Sequence, residues 1–398
     1  MNPFFLVITI FFWLSCGLIV YTHLGYPIVL WLLEAAGKGG RAGERKRRPV
    51  GRFPAGFGKE ESDEHATLPT VSLIIAAYNE DTVIEAKVKN ALALEYPRDL
   101  LQIIVASDGS TDLTVSQAKE AGADLVLELP RSGKVSVQNA AAEKATGQIL
   151  AFSDANSEWK PDALAELVSP FVDPSVAYVC GQVRFVGPDG GNLEGAYWHY
   201  EMKVRELESG LAGVTAGNGA IYAVRASAYI PLKPSGSHDL SFPFAFAKKG
   251  MSSLYRPKAA ATEKMVPSLD GELSRKRRMM VGLWDIIFGE GMLDLRGYRP
   301  AYVFELFSHR VLRYASPVLH LVALVTNLIL LGQHEIYTWT LVLQLALLLA
   351  AVLGRWIPVL PLRIARYYVE TTLSIALGFW DRWRGGPPGY WEKAEGTR

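Results

Sequence analysis

The stretch VSLIIAAYNE, residues 71–80, decides the fold. Val71 to Ala77 is a short apolar run of the kind that forms a buried strand, and Asn79-Glu80-Asp81 behind it is a helix-start signal. Further strand-like runs cover Leu101 to Ser107, Asp124 to Leu129 and Gln148 to Ser153. Between them lie the turn Asp108-Gly109-Ser110-Thr111-Asp112, which opens a helix, and a helical stretch from Gly133 to Ala145. Pro161 stands where another helix would begin. No internal repeat is evident. Such alternation predicts an α/β domain with a mostly parallel sheet and helices on both faces.

Sheets of this type bind ligands beyond the carboxyl ends of their strands. The polar residues gather there: Tyr78, Asn79 and Glu80 after the first strand, Asp108 after the second, Asp154 and Asn156 after the fourth. One acidic turn would be ordinary turn chemistry. Three clusters at neighbouring strand ends point to a shared ligand site.

Outside this domain the composition changes. The chain has 398 residues, 49% of them hydrophobic, and a net charge of only +1, which gives a nucleic-acid role no electrostatic support. Cys16 and Cys180 are the only cysteines; they make neither a disulfide framework nor a zinc site, and they fit a reducing compartment. Pro3 to Leu33 carries no Lys, Arg, Asp or Glu. It lacks the basic start, short core and small-residue cleavage site of a signal peptide, so it reads as an uncleaved spanning helix. Lys38, Arg41, Arg45, Lys46, Arg47, Arg48 and Arg52 follow, with Glu44 the only acid among them, which places this end in the cytoplasm. The stretch from Lys38 to Thr67 reads as a juxtamembrane linker that can also rest on anionic headgroups.

Tyr314 to Leu331 and Ile336 to Gly354 are two more candidate spans, joined by Gln333-His334-Glu335. Arg310 and Arg313 before them and Arg355 after them put both outer ends inside. Tyr367 to Trp380 is apolar but short and contains Glu370, so a full span and an interfacial or re-entrant helix both stay open. The expected organisation is a spanning helix over 1–34, a basic linker over 35–68, the α/β domain over 69–269, a basic motif with amphipathic helices over 270–313, a membrane region over 314–380 and a tail over 381–398.

The strand-end residues suit recognition of a nucleotide with a diphosphate. Asp108 can accept hydrogen bonds from a base or ribose, and Ala76 and Ala77 are small enough to let a ligand approach the strand. Asp154 can hold Mg²⁺ or Mn²⁺, which prefer oxygen ligands and bridge phosphates. Asn156 offers only a neutral carbonyl. Lys134 is either a donor contact or a solvated first-turn lysine.

VSLIIAAYNE (71–80), IIVASDGSTDLT (103–114), GKVSVQNAA (133–141) and ILAFSDANSEW (149–159), in that order and spacing, resemble the N-terminal half of family 2 glycosyltransferases. The resemblance covers roughly Pro69 to Trp284 and implies a GT-A, Rossmann-like cytoplasmic domain carrying a metal-dependent, inverting transfer. The membrane arrangement is similar to that of cellulose, chitin and hyaluronan synthases. The resemblance further implies uridine-diphosphate contacts from Tyr78, Glu80 and Asp108, a donor contact from Lys134, and a metal motif at Asp154 and Asn156, where Asn156 replaces the second acid.

Downstream, Ala216-Gly217-Asn218-Gly219-Ala220-Ile221-Tyr222 resembles the family's acceptor-side segment. Ser237-His238-Asp239 resembles the motif ending in the catalytic Asp, with His238 in place of the usual acid. Asp239 would take the acceptor proton; as a residue type it also suits a helix N-cap. Arg275-Lys276-Arg277-Arg278-Met279 resembles the (Q/R)xxRW motif of processive members, with Met279 replacing the Trp that lines the acceptor path. Arg275 and Arg278 can bind diphosphate, and the same cluster can lie on a membrane surface. Met279, Leu283 and Ile287, like Met280, Trp284 and Phe288, recur at helical spacing, as in an amphipathic interfacial helix or a core helix. Ser308-His309-Arg310 and Trp391-Glu392-Lys393 also resemble segments of bacterial relatives, without an assigned chemistry.

The function these features imply is sugar transfer from a nucleotide-sugar donor to a glycan or lipid-linked acceptor at the cytoplasmic face of a bacterial membrane. A polymer synthase and a single-addition enzyme both fit. So few spans make a poor channel, so a polymer product would call for a homo-oligomer or an export partner. Asn156, His238 and Met279 favour a rival, a catalytically silent nucleotide-sugar-binding regulator of a neighbouring synthase. A nucleotidyltransferase ranks last because it leaves the basic motif unexplained.

Overall fold

The computed structural model describes residues 2–40, 68–186, 193–264, 269–357 and 359–385. The basic linker, apart from its two ends, and the tail motif around Trp391 lie outside the described residues. The strands are β1 (Val71–Ala77), β2 (Leu101–Asp108), β3 (Leu125–Leu129), β4 (Ile149–Asp154), β5 (Glu158–Trp159), β6 (Val176–Val186), β7 (Ile221–Arg225) and β8 (Ser252–Lys264). They form one sheet in the order β3-β2-β1-β4-β7-β6-β8-β5. The half made of β3, β2, β1 and β4 is parallel, as the apolar runs predicted. Beyond β4 the sheet is mixed: β7 runs antiparallel to β4 and β6, β8 parallel to β6, and β5 antiparallel to β8.

The helices of the domain cover both faces. On one side α3 (Ile84–Leu92), α4 (Thr114–Glu120) and α6 (Ala163–Val168) pack on Leu73, Ile75, Val105 and Ala151. On the other, α5 (Lys134–Lys144), α7 (Leu193–Leu211) and α8 (His238–Lys248) pack on Ile74, Ala76, Ile104 and Phe152. Successive side chains of a strand point to opposite faces, so a strand covered on both must be apolar throughout. That is why β1 shows no alternation. Each of Leu73, Ile74 and Ile75 is fully buried, a contribution of about 1.5–3 kcal/mol apiece.

Before the domain, α1 (Pro3–Val20) passes through a wider π-helical turn at Tyr21–Gly25 into α2 (Tyr26–Gly40). After it come α9 (Leu269–Gly289), α10 (Pro300–Glu305), a second π-helical turn at Leu306–Val311, α11 (Leu312–Leu330), α12 (Glu335–Leu353) and α13 (Leu360–Trp383). Among the described residues, three helical runs, Pro3–Ala36, Pro300–Leu330 and Glu335–Leu353, are long and apolar enough to cross a membrane. Their outward side chains, such as Val7, Trp13, Leu321 and Leu343, are exposed apolar groups, as expected of helices that face lipid.

The second run starts at Pro300, earlier than the apolar window at Tyr314 indicated. The open C-terminal segment becomes the whole of α13, with Arg363, Arg366, Glu370, Asp381 and Arg382 along it, and it is not among the three apolar runs. It lies along α9: Trp284 Nε1 donates to the Ile375 carbonyl (3.1 Å), Arg277 pairs with Asp381 (2.6 Å) and Arg382 with Asp285 (2.7 Å).

Close approach of backbones sets one test of this packing. A Cβ on Gly147 would overlap the Ser72 backbone nitrogen where β4 meets β1, whereas a Cβ on Gly210 near the end of α7 meets nothing within 4 Å. Gly147→Ala is expected to destabilise the protein by about 2 kcal/mol or more. Gly210→Ala is expected to stabilise by about 0.5–1 kcal/mol. Thermal melts of the detergent-solubilised variants check both; an unchanged midpoint for Gly147→Ala would contradict the strand contact.

Candidate functional site

β2 ends at Asp108, whose carboxylate is fully buried. Arg131 Nη1 donates to Oδ2 (2.6 Å), and the backbone N–H groups of Ser132 (2.6 Å) and Gly133 (3.0 Å) donate to Oδ1. The Arg131 guanidinium lies over the Tyr78 ring, 3.3 Å from its centroid. Such stacking suits the planar, weakly hydrated guanidinium. Tyr78, Asp108 and the entry to α5 are thus one unit, held by an arginine that the motifs did not single out. Glu80 is buried beside it, its backbone N–H donating to Thr114 Oγ1 (2.7 Å). Asn79 takes a positive φ of 52°, which Asn tolerates better than most residues. Its side-chain oxygen accepts from Thr111 N (2.8 Å), tying the ends of β1 and β2 together.

β4 ends at Asp154, which forms an ion pair with Lys134, the first residue of α5. Asn156 lies two residues on, half-buried in the same turn. The turn is clamped from below by α3. Lys87 Nζ donates to the Ser157 carbonyl (2.6 Å) and sits 5.1 Å from the Trp159 ring centroid. Asn90 donates to the Trp159 carbonyl (2.8 Å) and accepts from its N–H (2.9 Å). Ser157 Oγ bonds Glu263. Burial pushes the Lys87 amine down to about 7, against the opposing pull of Asp154, Glu263 and Glu158. The sequence held a signal for Lys87: it falls at the i+3 place of the apolar stripe Ile84, Val88, Ala91, where an amphipathic helix faces its core.

Among the described residues no three His, Cys, Asp or Glu side chains gather as a metal cluster. Asp154 and Asn156 make a two-residue oxygen set. Magnesium-like ions keep several non-protein ligands and bind through one or two carboxylates plus substrate phosphates. The residues therefore fit an ion that arrives with a diphosphate and do not fit a cage of their own.

The downstream segment closes over this edge. Lys134 Nζ lies 3.3 Å from where a Cβ on Gly219 would stand, so Gly219 leaves it room. Asn218 is turned inward: its Nδ2 donates to the Gly181 carbonyl (2.7 Å) and its Oδ1 accepts from the N–H groups of Ile221 (2.9 Å) and Ala220 (3.2 Å). A Cβ on Gly217 would overlap the Tyr178 hydroxyl. The Gly217 N–H donates to the Asp239 carbonyl (2.7 Å). Ser237 occupies the N-cap position of α8, and Asp239 sits in its first turn, half-exposed, accepting from Ser237 Oγ.

His238 points the other way. It is buried among Phe152, Tyr222, Tyr229 and Phe242. Gln138 Nε2 donates to the Tyr222 hydroxyl (3.2 Å), which leaves that hydroxyl to donate to His238 Nδ1 (2.6 Å). The ring proton is then on Nε2, an atom with no hydrogen-bond partner among the described residues. This is a neutral imidazole in an aromatic nest.

The side chains of Arg275 and Arg278 lie outside the described residues; the backbone that carries them is the first half of α9. Met279 is 53% exposed on that helix. Leu283, Ile286 and Ile287 are buried against Ala216, Leu240 and Phe244, so α9 covers α8 and the start of the Ala216–Tyr222 segment with one face.

The family described as Glycosyl transferase family 2 matches residues 72–230. Glycosyltransferase AglE of Haloferax volcanii is 30% identical over 147 residues, 35% of this chain and 48% of that protein. The beta-monoglucosyldiacylglycerol synthase of Nostoc is 34% identical over 133 residues, 31% of this chain and 28% of that one. The chain thus spans less than half the length of these relatives. A mannosyltransferase of Pyrobaculum calidifontis, solved with GDP-Man and Mn²⁺, superposes over 95% of this chain and all of that one with a TM-score of 0.68 at 21% identity. That likeness shows the GT-A fold.

Burial first, and then the Lys134 charge, push His238 down to about 3. An unfolded histidine titrates near pH ~6.5, so between these values the unfolded chain binds the extra proton. Stability therefore falls as pH drops from about 6.5 towards 3, with a slope of about 1.4 kcal/mol per pH unit for one group. Thermal melts of wild type and His238→Gln between neutral and mildly acidic pH check this. Wild type is expected to lose midpoint more steeply; equal losses would place the titration elsewhere.

Proposed function

Since residues 72–230 match glycosyl transferase family 2, we propose that this chain transfers a sugar, with inversion, from a nucleotide-sugar donor to a hydroxyl of a glycan or lipid acceptor at a membrane surface. The observation that carries this reading is one convergence. Lys134 pairs with Asp154 and lies against Gly219, while Gly217, two residues earlier, binds the backbone of Asp239. Donor-side and acceptor-side groups thus meet across one glycine-lined edge.

In this reading the base stacks in the region of Tyr78 and Arg131, and the ribose or base edge addresses Asp108. The diphosphate reaches the end of β4, where Asp154 and Asn156 would hold a divalent ion. Such an ion supplies charge neutralisation for the departing diphosphate. The Pyrobaculum neighbour's Mn²⁺ supports a divalent ion here without distinguishing Mn²⁺ from Mg²⁺. Lys134 is placed to leave Asp154 for a phosphate oxygen, a charge-assisted bond. Lys87 and Asn90 keep the Asp154–Trp159 turn in place beneath it.

Asp239 accepts the proton of the acceptor hydroxyl as its oxygen bonds to the anomeric carbon. The bond from that carbon to the phosphate oxygen breaks on the opposite side, and nucleoside diphosphate leaves. Attack opposite the leaving group inverts the anomeric centre. The half-exposed position of Asp239 leaves it open to an acceptor, and Ser237 orients its carboxylate. His238, neutral and turned inward, takes no part in proton transfer in this reading; it packs the start of α8.

The three apolar runs support a reading in which this edge lies beside a bilayer. The basic residues from Lys38 onward and around Arg355 favour a cytoplasmic side for the domain by the positive-inside rule. The start of the acceptor-side segment is covered by α9 and lies next to the membrane-entering run, which favours an acceptor delivered from the membrane plane.

Nucleoside diphosphate release from a panel of nucleotide sugars, in native membranes with Mg²⁺, Mn²⁺ or chelator, tests the proposal. One donor is expected to be turned over with metal and not with chelator. Asp239→Asn is expected to lower that release by about 10²–10⁴-fold. Equal release by variant and wild type would remove Asp239 from the role of base.

A further inference from the structure

Above the site, on the membrane side, a second set of polar groups lies away from water. Glu208 of α7 is fully buried. Its Oε1 accepts from the Tyr26 hydroxyl of α2 (2.9 Å) and from His309 Nδ1 of the second π-helical turn (2.6 Å). Thr215 donates to Glu208 Oε2 through its hydroxyl (3.0 Å) and its backbone N–H (3.3 Å). The Thr215 hydroxyl in turn accepts from Arg310 Nε (2.9 Å). Two turns earlier on α7, Glu201 pairs with Arg313 and lies 3.5 Å from His309 Nε2. The two π-helical turns also touch, through Tyr21 Oη and Ser308 Oγ (2.9 Å). Burial works to raise the Glu208 carboxyl, but His309, Arg310 and the Tyr26 hydroxyl outweigh it and hold it below the usual range.

The partners of Glu208 come from three separate places: the first membrane run, the second membrane run and the loop that leads to Gly217. That loop has no slack. Gly217 is packed against the Tyr178 hydroxyl, its carbonyl accepts from Arg205 Nη2 (2.9 Å) and its N–H holds the Asp239 carbonyl. A buried carboxylate cannot exchange a lost partner for water, so loss of one bond is met by movement of the others. Movement of Thr215 passes two residues along the chain to the Asp239 backbone.

We propose that Glu208 is a positioning residue for transfer: it ties both membrane runs to the Thr215–Gly217 segment that seats Asp239. The inference rests on the reading of Asp239 as the base. It makes transfer depend on a hydroxyl of the N-terminal membrane run, remote in sequence from every motif. It also distinguishes the basic residues Arg310 and Arg313 from lipid-facing flank charges, because their guanidinium groups are used inside the protein.

The test compares Tyr26→Phe and Thr215→Val, which delete single hydroxyls, with Tyr337→Phe, the same change as the first at a membrane-helix position away from Glu208. Wild-type turnover of a donor is established first; its absence with every donor would sink the transferase reading itself. With that donor, Tyr26→Phe and Thr215→Val are expected to lose about tenfold or more in kcat, with donor KM held within about twofold, since a misplaced reacting group costs rate rather than donor binding. Tyr337→Phe should match wild type. A raised donor KM at unchanged kcat, or unchanged kinetics in both variants, would overturn the proposal. A readout independent of turnover is amide exchange at Gly217, followed by mass spectrometry of the detergent-solubilised full chain. It should quicken in Tyr26→Phe and stay unchanged in Tyr337→Phe. Protection equal to wild type in Tyr26→Phe would overturn the coupling.

Discussion

The register of β1 against its two parallel neighbours governs the rest of the structure. Ala76 pairs with Ala106 on one side and with Asp154 on the other, and Ala77 pairs with Ser107. The polar residues beyond these strands therefore emerge at one edge within a residue of each other. A slip of one place would send Ile74 to the face built for Ile75 and expose every apolar side chain of the strand to the wrong helices. Packing on both faces thus enforces the alignment of the polar edge. The geometry at Asp108 and Asp154 is inherited from leucines and isoleucines buried in the core.

At that edge the charged groups are already engaged with one another. Asp108 is held by Arg131 and two backbone N–H groups, Asp154 by Lys134, and Asp239 by Ser237. A ligand has to replace such partners, and the replacement is favourable where it brings a stronger one. A diphosphate with its cation satisfies that condition at the Lys134–Asp154 pair, because each member gains a partner of opposite charge as the pair separates. Asp108 differs, since three donors from one short segment converge on it and leave less to be gained. It acts first as an anchor of the α5 entry.

The strand positions were legible because a strand buried on two faces has one solution in sequence, a short apolar run between polar turns. The polar edge of the sheet was legible for the same reason: each run stops where its polar residues begin. Lys87 escaped notice because a lysine on a helix is ordinarily read as solvated, although its place in the stripe of Ile84 and Val88 pointed inward. The inward turn of His238 was not readable, since Phe152, Tyr229 and Phe242 come from three different elements and meet only in the fold. Arg310 and Arg313 read as charges flanking a span, and the partners that draw them inside, Thr215 and Glu201, lie about a hundred residues earlier in the chain. The inward turn of Asn218 was equally hidden, because its amide bonds the backbone of Gly181, Ala220 and Ile221 and the first of these comes from a distant strand.

The second π-helical turn has a consequence for how such a protein can change over time. Domains that meet their membrane helices through apolar surfaces can trade those helices by recombination, because one greasy face fits another tolerably well. Here the helices bring a tyrosine, a histidine and an arginine to one carboxylate and one threonine. A catalytic domain joined to foreign helices would carry Glu208 into a setting that supplies none of them, and a foreign domain would leave Arg310 and His309 buried without acceptors. Inheritance of the two parts is therefore coupled, and substitutions in one are expected to be followed by compensating substitutions in the other at these few positions rather than across the seam as a whole.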